Sequence, residues 1–468
     1  MNNASSYFRS DLKDIELREQ MLEDRWNDSL WRELERQLGK TRMSINGIAD
    51  SSQNPLADYA RARSVVYSPA PLVTGLDPRM AAAIGDSSGF ALRLDYASLL
   101  EDARRMLPSS IAALGIEGDG APMPSRLAWL LGHAMRYWLT CNEVGIFCTH
   151  ADGQLILKRA RASSLRGQGD PESPGVPLLL GWNRPVRIGS DVMSDTWDVW
   201  DIRDPSAPSY RIIRGPTWED DGEVTGGADI TRDVTDEEAK LGESYPWRWT
   251  KGDREGQARI PMQMYHANYP EALFDRTTGS ALTQGTLTTG VLGSFWLHVC
   301  RDVSWPDRNV RGMSLVGTVV AEDGEPRSVP NDPAAIKQWD DENAERPGEY
   351  WQWAPGADPK LLMDMNRSYR QLLDEQAIPV DIGSVGGDPL KYRVEAMRRV
   401  VEGYYPICRQ YDSGLLEMIA ATLNGFTGTD YEESGYGLLY RTEIDDLRAM
   451  LEKRATIPTI TTKDAPNV

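Results

Sequence analysis

Apolar residues recur at helical spacing through the first 40 positions, where Leu12, Ile15, Leu22, Trp26, Leu30 and Leu34 form one stripe in a dense field of charge. Gly39 ends that helix. The segments "NPLADYARARSVVYSP" and "YASLLEDARRML" carry the same period and predict further helices. "APMPSRLAWLLGHAMRYWLTCNEVG" predicts another, from about Ser125 to Thr140 behind a proline-bounded start. The period then drops to two. "VGIFCTHADGQLILKRA" predicts two strands around the turn Ala151-Asp152-Gly153, and "WDVWDIRDPSAPSYRIIR" predicts strand, proline-rich turn and strand. Residues 141 to about 215 therefore read as an antiparallel β region. A solvated loop, "WEDDGEVTGG", and a charged helix, "TRDVTDEEAKLGE", follow it.

"RIPMQMYHANYP" predicts a strand running into a loop. A helix follows over Ala281 to Val303, and Pro306 and Gly312 in "SWPDRNVRG" stop it. Short β pieces are expected in "MSLVGTVVAEDG" and "EYWQWAPG". Helices return with "DPKLLMDMNRSYRQLLDEQ", whose Leu361, Leu362, Met365, Tyr369, Leu372 and Leu373 keep helical spacing. "AIPVDIGSVGGDP" interrupts the pattern with prolines and glycines. A long helix over "PLKYRVEAMRRVVEGYYPICRQY" comes next, then one over "SGLLEMIAATLNG" with Ser413 as N-cap and Gly425 as stop. The last helix is "TEIDDLRAMLEKRA", where Thr442 and Asp445 resemble a capping box, and a loose tail follows it.

One stretch breaks the charge pattern. From Thr277 to Cys300 no residue is charged, and Arg276 and Arg301 bracket the run. A membrane span is the first reading to test. Six of these residues are Thr and four are Gly, and the seven strongly apolar ones contribute only about −2 to −4 kcal/mol on an insertion scale. The composition therefore favours a helix packed against protein. Gly285, Gly290 and Gly293 let backbones approach closely, at a propensity cost of about 1 kcal/mol each.

Composition narrows the class. The chain has 468 residues, enough for two or three domains, and a formal net charge of −19. That balance disfavours a general grip on phosphate. Between Thr318 and Asp358 ten residues are acidic and three basic. Cys141, Cys148, Cys300 and Cys408 suggest no disulfide framework, and the N-terminus has no apolar leader segment. Fifteen tryptophans stand against six phenylalanines, which points to large packed surfaces.

Chemistry motifs are sparse. "GKT" at Gly39 to Thr41 lacks the upstream glycine and the strand of a phosphate loop. "GDSSG" at Gly85 to Gly89 has nucleophile-elbow spacing with Ser87 at its centre, and His133, His150, His266 and His298 lie downstream. The preceding "RMAAAI" reads as helix rather than the strand an elbow needs. A serine hydrolase using Ser87 stays open as the alternative. Cys141, Cys148 and His150 lack paired zinc-ligand spacing and read as apolar cysteines on adjacent strands. No basic-aromatic stripe of the nucleic-acid kind stands out along the chain. No cofactor, metal or catalytic residue is expected.

The order of parts resembles the portal, or head–tail connector, proteins of tailed bacteriophages. The resemblance rests on "RIPMQMYHANYPEALFD", "LLDEQAIPVDIGSVGGDPLKYRVEAMRRVV" and "NEVGIFCTHADGQLILKRARASSL", and covers mainly 140–215 and 259–455. It implies an α+β chain with a helical and β wing at 1–270, a first stem helix at 271–306 and a small β-containing clip at 307–358. A second stem helix at 359–380, a tunnel loop at 381–389, kinked wing helices at 390–426 and a helical crown with its tail at 427–468 complete the plan. It further implies a closed ring, usually of twelve subunits, with duplex DNA passing through the channel. Ile382, Gly383, Ser384, Val385, Gly386, Gly387 and Asp388 would approach that DNA. Gly285, Leu287, Gly290, Val291, Gly293 and Phe295 would pack between stem helices of neighbouring subunits. The implied partners are terminase, the major capsid protein and a head–tail adaptor. The implied place is a capsid vertex of the virion, assembled in the bacterial cytoplasm, with no membrane. Genome packaging, retention and ejection are the implied roles, without enzymatic activity.

Overall fold

The computed structural model describes residues 15–23, 54–85, 90–114, 119–170, 172, 176–188, 190–219, 222–234, 245–266, 273–274, 285–286, 288–296, 307–311, 336–339, 349–353, 358–377 and 398–456. The chain divides into two compact units. One comprises Met1–Glu19, Asp58–Gly279 and Ile382–Val468; the other comprises Gln20–Ala57 and Ser280–Asp381. The described residues mix helix with mainly antiparallel sheet, an α+β arrangement.

Of the helix expected over the first 40 residues, 15–22 is described and helical, and the rest lies outside the described residues. Helix α1 (Pro55–Arg63) comes next, followed by a 3-10 turn (Ser64–Tyr67) and strand β1 (Leu72–Thr74). Helices α2 (Pro78–Ile84), α3 (Phe90–Met106) and α4 (Pro108–Ala113) come next, then β2 (Gly120–Pro122) and α5 (Ser125–Cys141). Asp77 caps α2 by accepting from the Arg79 amide at 2.7 Å, Pro78 opens it, and Gly85 closes it at φ 108°.

The β region begins with β3 (Glu143–Ala151) and β4 (Gln154–Arg161). Between them Asp152 (φ 52°) and Gly153 (φ 75°) make a two-residue turn whose positive φ values match the twist of a hairpin. Then follow β5 (Leu165–Gly169), β6 (Pro177–Asn183), β7 (Val186–Ile188), β8 (Asp191–Met193), β9 (Thr196–Asp201) and β10 (Ser209–Arg214). The stretch expected as a solvated loop, 218–227, holds the end of β11 (Thr217–Trp218) and β12 (Val224–Thr225), and β13 (Ala228–Asp229) follows it. Backbone pairing there needs no apolar alternation, which is why the sequence concealed it. Of the charged helix expected at 231–243, Thr231–Val234 form turn, and the rest lies outside the described residues.

β14 (Met262–His266) falls where its sequence predicts a strand. It pairs with β3, which also pairs with β4, while β5, β6, β9, β10 and β13 make a five-stranded antiparallel sheet. Their shared core explains the tryptophans. Trp200 stacks on Tyr210 at 5.3 Å, Tyr210 meets Trp247 edge-on at 5.2 Å, and Phe147 lies 5.2 Å from Trp182. Gly181 is required at its position, since a Cβ there would stand 2.1 Å from the Trp218 ring.

In the other unit the described part of the uncharged run is helical at 285–286 and 288–296. Strands β15 (Asp307–Arg311), β16 (Ile336–Trp339) and β17 (Glu349–Trp353) form a three-stranded sheet, with β15 central, parallel to β16 and antiparallel to β17. Helix α6 (Pro359–Ala377) returns. Two expectations change here. Residues 307–311 were expected as the stop after the helix and form the central strand instead: Pro306 ends a helix without barring a strand behind it. The β piece expected at 313–324 lies outside the described residues.

The C-terminal helices also differ from the sequence reading. Residues 398–402 are helical, Gly403 and Tyr404 form a turn, and α7 (Tyr405–Thr427) runs through Ser413 and Gly425. Ser413 is therefore no N-cap, and its hydroxyl donates to the Tyr436 carbonyl at 3.3 Å. Gly414 is tolerated mid-helix because Gln263 occupies the space a Cβ would need, 2.8 Å away. The stop is Gly428, at φ 67°. β18 (Gly437–Leu439) pairs with β1, and β1 pairs with β2. Helix α8 (Arg441–Thr456) begins one residue before the expected box. Glu443 reaches back to the Tyr440 amide at 2.9 Å, while the Thr442 hydroxyl donates to Tyr405 at 2.9 Å.

Candidate functional site

The insertion-like unit holds the residues expected to pack between subunits. Gly285, Gly290, Val291 and Gly293 lie on the helical segment and are buried within the single chain. Thr286, Thr289 and Ser294 are buried beside them. The hydroxyls are satisfied inside the helix: Thr289 donates to the Gly285 carbonyl at 2.7 Å and Ser294 to the Gly290 carbonyl at 2.8 Å. This arrangement lets a polar, uncharged helix be buried without unmatched donors.

The face left less covered is the opposite one. Thr288 is exposed, and Leu292, Phe295 and Trp296 are half-buried, all within one helical stripe. Phe295 thus remains at a surface, whereas the glycines do not. Leu292 and Trp296 join Phe295 on this face, and their i, i+4 spacing is the sequence signal for it. Leu287 and all of Ile382, Gly383, Ser384, Val385, Gly386, Gly387 and Asp388 lie outside the described residues.

Helix α6 carries a more open apolar face. Leu361 is 60% exposed and Met365 49% exposed, one turn apart, with Met363 at 38%. Leu362, Asn366 and Tyr369 occupy the half-buried side. Leu361 and Met365 share one side of the helix and form a small patch of the kind that assembly contacts cover, whereas Met363, two residues along, lies on another side.

The first unit is organised around a buried carboxylate. Asp412 on α7 is 1% exposed and accepts three phenolic hydroxyls. Tyr67 donates to both of its oxygens, at 2.9 and 3.0 Å; Tyr265 donates to Oδ1 at 3.0 Å and Tyr440 to Oδ2 at 2.7 Å. These tyrosines come from the 3-10 turn, β14 and the residue after β18, so one side chain ties together segments far apart in sequence. Burial pushes the Asp412 carboxyl up to about 7, although the three hydroxyls pull in the other direction. Burial and the Asp412 charge raise the three tyrosines and the Cys408 thiol well above their usual values.

A second buried carboxylate, Glu433, organises the loop after α7. It accepts the Thr250 and Lys251 amides at 3.0 and 3.2 Å, the Thr250 hydroxyl, and Asn424 Nδ2 at 3.0 Å. Asn424 Oδ1 in turn accepts the Tyr431 amide at 2.7 Å.

A cleft of about 430 Å³ opens among α2, the β3–β4 hairpin and the end of α7, with Arg126, His150, Gln154, Thr427, Thr429 and Tyr431 at its polar positions. Its lining holds no carboxylate and no thiol. The serine-elbow reading meets α2 and its left-handed Gly85 cap where a strand would be needed, and Ser87 itself lies outside the described residues. Among the described residues, no three His, Cys, Asp or Glu side chains are grouped to hold a metal. Cys141, Cys148 and Cys408 are buried and not in disulfides, with Cys141 at the end of α5 rather than on a strand. No described helix is long and apolar enough to cross a membrane.

No family model matches the chain, and no curated protein matches it. Among solved structures, a chain from "Virion of native gene transfer agent (GTA) particle" aligns with a TM-score of 0.34 and 10% identity, over 90% of this chain and 89% of that one. A likeness this distant carries no argument about activity, and the functional reading rests on the sequence order and the geometry.

Proposed function

We propose that this chain is the portal subunit of a tailed-phage-like particle, forming a closed ring around a DNA channel at one capsid vertex. The observation that carries the reading is the second unit. In it a buried uncharged helix, a small three-stranded sheet and a returning helix occur in the order of stem, clip and stem. The return helix leaves Leu361 and Met365 uncovered in a single chain. A ring supplies that cover, because head-to-tail contacts whose rotation closes bury the same patch on every subunit.

The role that follows is structural. The ring would dock terminase during packaging, bind the major capsid protein at the vertex, and hold a head–tail adaptor afterwards. No nucleotide chemistry of its own is required, and a surplus of carboxylate toward the channel would let DNA move without sticking. Ile382 to Asp388 are the segment assigned to the channel.

Deleting Gly383 to Gly387 tests the reading in particles. Rings should form as in the parent, and packaged or retained DNA should fall. Normal DNA-filled particles from that deletion would refute the channel assignment.

A further inference from the structure

Helix α5 presents an outward stripe that Arg159, from β4, completes. Arg126, Trp129, His133 and Arg136 recur at i, i+3, i+7 and i+10 along it, a span of about 15 Å. Trp129 is 69% exposed, an unusual state for so large an apolar side chain, and its ring lies 5.1 Å from that of His133. Arg159 from β4 joins the stripe: its guanidinium sits 3.7 Å over the Tyr137 ring and 3.4 Å from His133 Nδ1. On the other flank Arg136 Nε donates to the Ser64 hydroxyl at 3.2 Å, and the next residue, Val65, is 47% exposed.

These cations repel one another. Arg136 and Arg159 lower the His133 pKa together with burial, and Arg61 lowers that of Arg136 behind burial. Arg61 is neutralised by Asp58 at 3.2 Å, whereas the described contacts of Arg136 and Arg159 include no carboxylate. An unneutralised basic cluster is out of keeping with a chain of 70 acidic and 51 basic residues. Its anatomy is an exposed aromatic flanked by guanidiniums, the composition of a protein-binding hot spot. Duplex DNA would satisfy the guanidiniums but offers Trp129 no free base face. A carboxylate-bearing protein surface satisfies both, and the chain's own acidic surplus supplies one.

We propose that the outer face of α5, centred on Trp129, Arg136 and Arg159, docks against a carboxylate-bearing surface of a second copy of this chain. The inference rests on the ring reading and names one of its subunit contacts. In a head-to-tail ring such a face meets a different, complementary face of its neighbour.

The test compares the full chain with Trp129→Ala and Arg136→Glu by light-scattering mass across a concentration series, with thermal melting as the check on folding. Both variants should melt like the parent and need about tenfold or more higher concentration for half-assembly. The Arg136→Glu defect should shrink at high salt, since charge pairing is screened, while the Trp129→Ala defect persists. Variants that assemble like the parent would overturn the proposal and leave the ring reading intact, and weakened binding of a duplex oligonucleotide in those variants would assign the stripe to nucleic acid instead. A parent that stays monomeric at every attainable concentration would overturn both.

Discussion

The two compact units handle polar groups in opposite ways. In the first, two buried carboxylates are met by donors: Asp412 holds three tyrosines, and Glu433 holds two backbone amides, a hydroxyl and an amide side chain. In the second, charge is absent from the buried helix, whose hydroxyls turn back onto its own carbonyls, and the companion helix α6 leaves apolar side chains at the surface. The contrast separates two jobs. Buried, satisfied networks fix one arrangement of distant segments. A surface helix with uncovered leucine and methionine leaves a face on which the proposed ring could close.

The largest expected effect lies in the first unit. Asp412→Ala strands three buried phenolic hydroxyls and should cost about 4 kcal/mol of stability, read by denaturant unfolding. Asp412→Asn keeps an acceptor and should cost less. It should also remove a pH dependence whose sign follows from the raised carboxyl. The folded group protonates near 7 against 3.8 unfolded, so its stabilisation is full below the lower value and is lost as pH rises through the upper one. A parent whose stability is flat from pH 4 to 7, or rises, contradicts this account of the node.

Glu433→Ala should cost about 2 kcal/mol by freeing the Thr250 and Lys251 amides, measured in the same way. Gly181→Ala should cost about 1–3 kcal/mol, since Trp218 must move to admit a methyl group. In the second unit Gly290→Trp should destabilise the single chain itself, because Gly290 is buried there before any neighbour arrives. The smallest effect on stability belongs to Leu361→Glu, which should stay within about 0.5 kcal/mol of the parent while abolishing assembly. A loss above 1 kcal/mol there would erase the contrast between the units.

Local signals carried much of the fold into the sequence. The Asp152-Gly153 turn, the α5 periodicity and the helical spacing of α6 needed only neighbouring residues, and each element stands where its pattern placed it. Where tertiary contacts decide, the sequence misled. Ser413-Gly414 resembles a helix boundary, but Gln263 packs against Gly414 and the helix continues. The Asp412 node was invisible because its tyrosines sit at positions 67, 265 and 440, and no periodicity links them. The α5 stripe was half visible. Its basic character depends on Arg159, which a β-strand delivers from another part of the chain.

The glycines of the uncharged run teach a narrower lesson. Small residues announce close packing but not the partner. Here Gly285, Gly290 and Gly293 are buried in one chain, and the side that faces outward carries Leu292, Phe295 and Trp296. In the proposed ring, a subunit contact on this helix would run through its large side chains.

The measurement that tests the central claim most directly is the mass and shape of the purified full chain, by light scattering followed by negative-stain imaging. The account predicts a ring of about a dozen copies with a central hole wide enough for duplex DNA, on the order of 20 Å across. A monomer at every attainable concentration, or a closed particle without a channel, would contradict it.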